Sequence, residues 1–130
     1  MRLNQVMVSV RDLEASIAFY RTLGLNLIVK NDDYARFECP DGGSTFSLHL
    51  NPSAAGVSDT LIYFERDDLD ETVARLKAKG LKFETDPVDQ PWRWREAYLR
   101  DPTGNLICLF HAGEIRRNPP WRLKEAGPAS

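Results

Sequence analysis

At 130 residues, of which 42% are hydrophobic, the chain can bury one real core and is too short for two full-sized independent domains. A formal net charge of −2 with acids and bases interspersed leaves no electrostatic footprint for nucleic acid or an anionic membrane surface. No apolar run approaches the roughly 20 residues of a membrane helix, and Cys39 and Cys108 lack the number and spacing of a disulfide framework or metal ribbon. With a strand-like pattern from the start in place of a signal-peptide core, the expectation is a soluble cytoplasmic protein with reduced thiols.

In chain order, Leu3 to Val10 sets Val6, Val8 and Val10 on one face and Gln5, Met7 and Ser9 on the other, the period of a strand. Asp12 is a good N-cap, and Leu13, Ile17, Tyr20 and Leu23 recur at helical spacing up to Gly24, which predicts a helix over 12–23. Strands follow at about 25–30, 34–39 and 44–50, the last two joined by the turn-forming Pro40-Asp41-Gly42-Gly43. Residues 51–58 are short, polar and rich in small side chains, as suits a linker.

The pattern then restarts. Leu61 to Glu65 reads as a strand, and Asp68 with Glu71 resembles a capping box opening a helix through Leu69, Val73 and Leu76 to Gly80. Strands are predicted at about 81–85, 95–100 and 105–111, the last two joined by Asp101-Pro102-Thr103-Gly104. Superimposing Asp12 on Asp68 also superimposes Leu13 on Leu69, Ile17 on Val73, Tyr20 on Leu76 and Gly24 on Gly80 without a gap. The chain therefore contains one βαβββ unit twice, at 1–50 and 59–111, and a paired unit of this kind is expected to leave a cleft where the copies meet. Residues 112–130 form a polar, basic tail whose Pro119-Pro120-Trp121 is expected to pack on the domain or on a partner subunit, since burying a Trp is strongly stabilising.

The segment Val10-Arg11-Asp12-Leu13-Glu14 through Phe19-Tyr20, then Leu23-Gly24-Leu25, together with Arg95-Glu96-Ala97-Tyr98-Leu99-Arg100-Asp101-Pro102-Thr103-Gly104-Asn105, resembles the vicinal oxygen chelate superfamily of glyoxalase I, bleomycin and fosfomycin resistance proteins and extradiol dioxygenases. The resemblance covers residues 1–111 and implies an α+β fold, two βαβββ modules forming an open barrel-like cleft. It also implies a homodimer, with Trp121 a candidate for the contact.

The same resemblance locates four strand positions at which family members commonly hold one divalent metal: Gln5, His49, Leu61 and Cys108. Leu61 has no donor, and Cys108 offers a soft thiolate where hard or borderline metals meet a carboxylate. A Zn²⁺ bound by His49, Cys108 and Gln5 with water is the remaining metal reading; the alternative makes Gln5 and His49 polar wall residues and Cys108 an apolar filler. No cofactor is the favoured expectation, with a divalent metal as the alternative.

If the Val6, Val8 and Val10 face packs on the helices, strand alternation sends Gln5, Met7, Ser9, Thr45, Ser47 and His49 of the first module to the cleft. In the second module it sends Leu61, Tyr63, Glu96, Tyr98, Cys108 and Phe110 there. Glu96 is read either as a buried general base or as the partner of Arg93 or Arg95. His49 is the best single candidate for proton transfer, beside the plainer reading of a hydrogen-bonded wall histidine; His111 is a weaker one. In Pro91-Trp92-Arg93-Trp94-Arg95, Trp92 or Trp94 could cover a planar ligand while Arg93 or Arg95 holds a carboxylate or phosphate, or the segment could serve hairpin or dimer packing.

These residues predict first a metal-independent protein, similar to the bleomycin-resistance type, that binds an amphipathic or aromatic small molecule. The alternative is a metal-dependent lyase or isomerase resembling glyoxalase (lactoylglutathione lyase), in which Glu96 or His49 moves a proton. An extradiol dioxygenase is less favoured because Leu61 and Cys108 occupy ligand positions, and a purely structural role is opposed by the polar set facing the cleft. Whether the protein is an enzyme stays open at this point.

Overall fold

A computed structural model describes residues 1–55 and 58–127, so parts of the predicted linker and tail, residues 56–57 and 128–130, lie outside the described residues. The chain forms two compact units, one of residues 1–61 with 100–106, the other of residues 62–99 with the chain from 107 onward. Each carries one α-helix and one four-stranded mixed sheet, the twice-repeated βαβββ pattern of the sequence.

In the first unit, β1 (Gln5–Val10), α1 (Leu13–Leu23), β2 (Asn26–Lys30), β3 (Tyr34–Glu38) and β4 (Thr45–Leu50) form a sheet in the order β1-β4-β3-β2. Strands β1 and β4 run parallel, pairing Val6 with Phe46, Val8 with Leu48 and Val10 with Leu50. This apolar stripe takes Leu13, Ile17 and Tyr20 of α1; the Tyr20 ring lies 4.8 Å from Phe46 and 6.0 Å from Phe37. The helix starts where the Ala15 N–H donates to Asp12 Oδ1 at 3.0 Å and stops at Gly24, whose φ of 118° is the left-handed conformation glycine reaches without a Cβ penalty.

Residues 100–106 lock onto this unit through one buried carboxylate. Asp101 Oδ1 accepts the backbone N–H groups of Thr103, Gly104 and Asn105, each at 2.9 Å, and Oδ2 accepts the Tyr20 hydroxyl at 2.7 Å and Asn105 Nδ2 at 2.9 Å. Burial, then the Asp101 charge, pushes the Tyr20 phenol far above its ordinary range, so it remains a donor. The Arg11 guanidinium donates to the carbonyls of Ala54 and Thr103, and Asn105 Nδ2 donates to the Ser9 carbonyl.

In the second unit, β5 (Ile62–Glu65), α2 (Leu69–Ala78), β6 (Val88–Asp89), β7 (Arg95–Arg100) and β8 (Leu106–His111) form a sheet in the order β5-β8-β7-β6. Parallel pairing of β5 with β8 sets Ile62 beside Ile107 and Phe64 beside Leu109. Leu69, Val73 and Leu76 of α2 are buried, the positions equivalent to Leu13, Ile17 and Tyr20.

Two expectations are corrected here. Residues 81–85 make no strand: only Phe83 bridges to Leu99, the Thr85 hydroxyl takes the Tyr98 N–H in place of a backbone carbonyl, and Pro87 has no N–H to donate. The edge strand starts later, at Val88, which pairs with Glu96. The capping box at Asp68 does not form either, because its carboxylate is drawn to Arg66 Nε at 3.0 Å and to the Thr72 hydroxyl at 2.9 Å.

Candidate functional site

The face of each sheet opposite its helix carries the chemistry. In the second unit, Tyr63 pairs with Cys108 and Glu65 with Phe110, which puts Tyr63, Cys108 and Phe110 on the face that Ile62, Phe64, Ile107 and Leu109 turn away from. Trp94 stacks on Phe110 with ring centroids 4.7 Å apart and planes 19° from parallel. Tyr63 closes the cluster edge-on, 5.5 Å from Phe110 and 5.8 Å from Trp94. These are the geometries that ring quadrupoles favour.

Beside the rings lies Glu96, 1% exposed. Its Oε1 accepts the Tyr98 hydroxyl at 2.6 Å and its Oε2 accepts Trp92 Nε1 at 3.0 Å. Neither Arg93 nor Arg95 pairs with it, so the arginine reading of Glu96 is corrected. The indole reaches back because residues 90–94 form a tight turn: the Arg93 N–H donates to the Gln90 carbonyl, the Gln90 N–H to the Trp94 carbonyl, and Arg93 adopts φ of 69°. A carboxylate offers about four lone-pair positions, so after these two bonds Glu96 keeps acceptor capacity on a face otherwise lined by rings.

Arg95 points elsewhere. Its guanidinium forks onto Asp70, with Nε and Nη2 at 2.8 and 3.1 Å, and Nη1 binds Asp89 at 3.0 Å. Arg93 lies with its guanidinium carbon 6.0 Å from the Trp121 ring centroid, a cation–π distance within the tail's own unit. His111 stands apart from the rings, with Nδ1 3.6 Å from Asp67 and 3.9 Å from Glu65, beside a hollow of about 280 Å³ that Asp67, Asp68, Asp70 and Glu71 also line.

Burial, then the charge of Glu96, pushes the Cys108 thiol up to about 12, against the smaller opposing effects of the Tyr98 hydroxyl and the Ala97 backbone; the thiol also makes a weak contact to the Leu109 carbonyl at 3.7 Å. Burial, then the hydrogen bond to Glu96, raises the Tyr98 phenol, and burial raises Tyr63. Tyr63, Tyr98 and Cys108 therefore stay protonated at neutral pH on this face, beside Glu96.

In the first unit, Gln5 pairs with Thr45, Met7 with Ser47 and Ser9 with His49, so the predicted Gln5, Met7, Ser47 and His49 do share one face. Gln5 Oε1 accepts the Thr45 hydroxyl at 2.8 Å, Ser47 is fully buried, and Met7 and His49 are exposed. Strand β3 adds Tyr34, Arg36 and Glu38 to this face, since they pair with His49, Ser47 and Thr45. They lie outside the set predicted for the cleft, although the alternation of Ala35 and Phe37 with Tyr34, Arg36 and Glu38 carries the signal.

The donors implied by the resemblance do not fit a divalent metal. Leu61 has none, Cys108 is a buried thiol protonated at neutral pH, and the Gln5 oxygen already accepts a hydroxyl. Among the described residues no group of three or more His, Cys, Asp and Glu side chains is placed to hold one.

A family model described as the Glyoxalase/Bleomycin resistance protein/Dioxygenase superfamily matches residues 2–109. The chain is 32% identical over 127 residues to an uncharacterized protein, YraH, of Bacillus subtilis, covering 85% of this chain and 98% of that one. Among solved structures it resembles a lactoylglutathione lyase from Agrobacterium tumefaciens, at TM-score 0.73, 23% identity and coverage of 85% and 93% of the two chains. It also resembles a bleomycin-binding protein solved with bleomycin, at TM-score 0.71, 23% identity and coverage of 86% and 98%. At such identities these likenesses speak for the fold.

Proposed function

Because this chain belongs to the Glyoxalase/Bleomycin resistance protein/Dioxygenase superfamily, we propose that it binds an aromatic or amphipathic organic molecule without a metal, on the ring-lined face of its second sheet. The observation that carries the proposal is the Trp94, Phe110 and Tyr63 cluster set beside Glu96, a buried carboxylate held by Tyr98 and Trp92 with acceptor capacity to spare. Rings supply apolar area and stacking, and a few convergent polar groups fix orientation, which is the composition of a small-molecule site. Tyr63 and Trp92, 45% and 46% exposed, present surface that a ligand would cover. One solved neighbour of the same fold is a bleomycin-binding protein, a precedent for sequestration on this scaffold.

In this reading Glu96 accepts a hydrogen bond from a ligand N–H or O–H, and Cys108 acts as neutral filler, since a protonated thiol is neither nucleophile nor metal ligand. The glyoxalase-like alternative gains no support from the donor set. The proposal includes a homodimer, with the half-exposed Trp121 and neighbouring Leu123 as contact residues, and a reducing cytoplasm suited to the free thiols Cys39 and Cys108. Among the described residues no helix is long and apolar enough to cross a membrane.

The test is a tryptophan-fluorescence titration with bleomycin, naphthalene sulfonates and acridine dyes, run on wild type and Trp94→Ala. Saturable quenching that is weakened at least tenfold in the variant supports the reading. Quenching that is linear in both proteins, or identical in both, overturns it. Light scattering at micromolar concentration tests the dimer, and a mass of 14.8 kDa would remove it.

A further inference from the structure

The face of the first sheet holds a cation with no counter-charge. Arg36 is half-buried in β3, and its Nε donates to the Tyr34 hydroxyl at 2.9 Å while its guanidinium carbon stands 5.5 Å from that ring's centroid. Nε is thereby committed and the plane of the guanidinium is fixed. The two terminal nitrogens make no hydrogen bond or ion pair among the described residues. Glu38, two residues on and on the same face, is exposed and makes no ion pair with Arg36. The other half-buried arginines have their guanidinium groups engaged: Arg66 pairs with Asp68, Arg95 with Asp70 and Asp89, and Arg122 donates to the Arg117 and Gly127 carbonyls. A guanidinium withdrawn from water and left unpaired is costly unless something else supplies the anion.

The surroundings extend this. Across the ladder Arg36 faces Ser47 on one side and Val29 on the other, and Ser47 in turn faces Met7. The buried Ser47 hydroxyl makes no hydrogen bond of good geometry, and Ser47, ahead of Arg36, holds the Tyr34 phenol below its ordinary range. Val29 and Met7, 37% and 55% exposed, add apolar surface to either side of the guanidinium.

We propose that Arg36, oriented by Tyr34, receives the oxyanion of an amphipathic organic anion, a carboxylate or a phosphate monoester, whose apolar body lies against Met7 and Val29. The free edge of a guanidinium presents parallel N–H groups that match two oxygens of one carboxylate or phosphate, a fit an ammonium cannot reproduce. The site stands on first-unit residues alone and does not depend on the ring-lined face of the second unit.

Amide and methyl NMR titrations of the full chain with benzoate, phenyl phosphate and benzyl alcohol test it. Both anions should saturate shifts at Tyr34, Arg36 and Met7, with benzyl alcohol about tenfold weaker or more; a difference between benzoate and phenyl phosphate identifies which oxyanion the site prefers. Arg36→Gln should weaken both anions about tenfold or more and leave benzyl alcohol unchanged, while Arg36→Lys, which keeps charge and loses the fork, should fall between. The dispersed spectrum of each variant reports that it is folded. Anions that fail to saturate, that shift only other residues, or that bind wild type and Arg36→Gln equally would overturn the proposal.

Discussion

The two sheets are copies of one plan and differ on one face. Toward the helices both are apolar, with Val6, Val8, Phe46 and Leu48 in the first unit and Ile62, Phe64, Ile107 and Leu109 in the second. On the opposite face the first sheet shows Gln5, Ser47, His49, Tyr34 and Arg36, and the second shows Tyr63, Trp94, Phe110, Tyr98 and Glu96. The helix-facing residues are held by the close packing of each core, where every methylene counts. The other face carries little of that burden, so after duplication its chemistry was free to diverge. Among the buried helix residues the difference in kind is Tyr20, bonded to Asp101, which stands where the second unit has Leu76.

That last contrast gives the largest expected effect. Asp101→Ala orphans the Tyr20 hydroxyl and several backbone N–H groups and should cost about 3–5 kcal/mol in urea unfolding. Tyr20→Phe, which leaves the carboxylate its other donors, should cost about 1–2 kcal/mol. If the two variants cost the same, the carboxylate is not the hub of the first unit.

Next comes the ring-lined face. Trp94→Ala should lower affinity for an aromatic ligand by tenfold or more, about 1.4 kcal/mol, while the matching change on the first sheet, Met7→Ala, leaves that affinity unaltered. Equal losses would erase the distinction between the faces. Glu96→Gln preserves an acceptor for Trp92 and should change stability by less than about 1 kcal/mol, yet weaken ligands bearing a protonated amine more than neutral ones. Calorimetry with a matched pair of aromatic amine and aromatic alcohol reads that difference.

The smallest effect is a pH slope. The Cys108 thiol titrates at about 12 in the folded chain against 9.0 ordinarily, so the folded state holds its proton more tightly. Its contribution is fully present below about pH 9 and is lost as pH rises toward 12. Wild type should therefore lose stability more steeply than Cys108→Ala across that window, as followed by urea midpoints at successive pH values.

Much of the fold was legible because it rests on local signals. Asp12 and Gly24 bracket α1, the valine alternation gives β1, and the Asp101 turn joins β7 to β8. The strand expected at 81–85 failed because alternation cannot register a side chain replacing a ladder bond, as Thr85 does for Tyr98, nor weigh Pro87 just beyond. At the site, alternation sorted Tyr63, Glu96, Tyr98, Cys108 and Phe110 onto one face correctly in kind, yet it could not see Trp92 reaching Glu96. That contact depends on Arg93 taking a left-handed conformation, which a non-glycine residue adopts only when its surroundings impose it. Arg95 was drawn to Asp70, a partner 25 residues away in sequence.

The Asp101 turn also sets a timetable for biosynthesis. The first unit is complete only with residues 100–106, whose bonds to Tyr20, Arg11 and Ser9 span 81, 92 and 96 residues. As the chain leaves the ribosome, its N-terminal half must wait, with Tyr20 and Arg11 unsatisfied, until most of the C-terminal half has emerged. Such distant closures slow folding and expose unfinished surface meanwhile. A nascent chain arrested at residue 61 should therefore remain open to protease, and one released past residue 106 should become resistant.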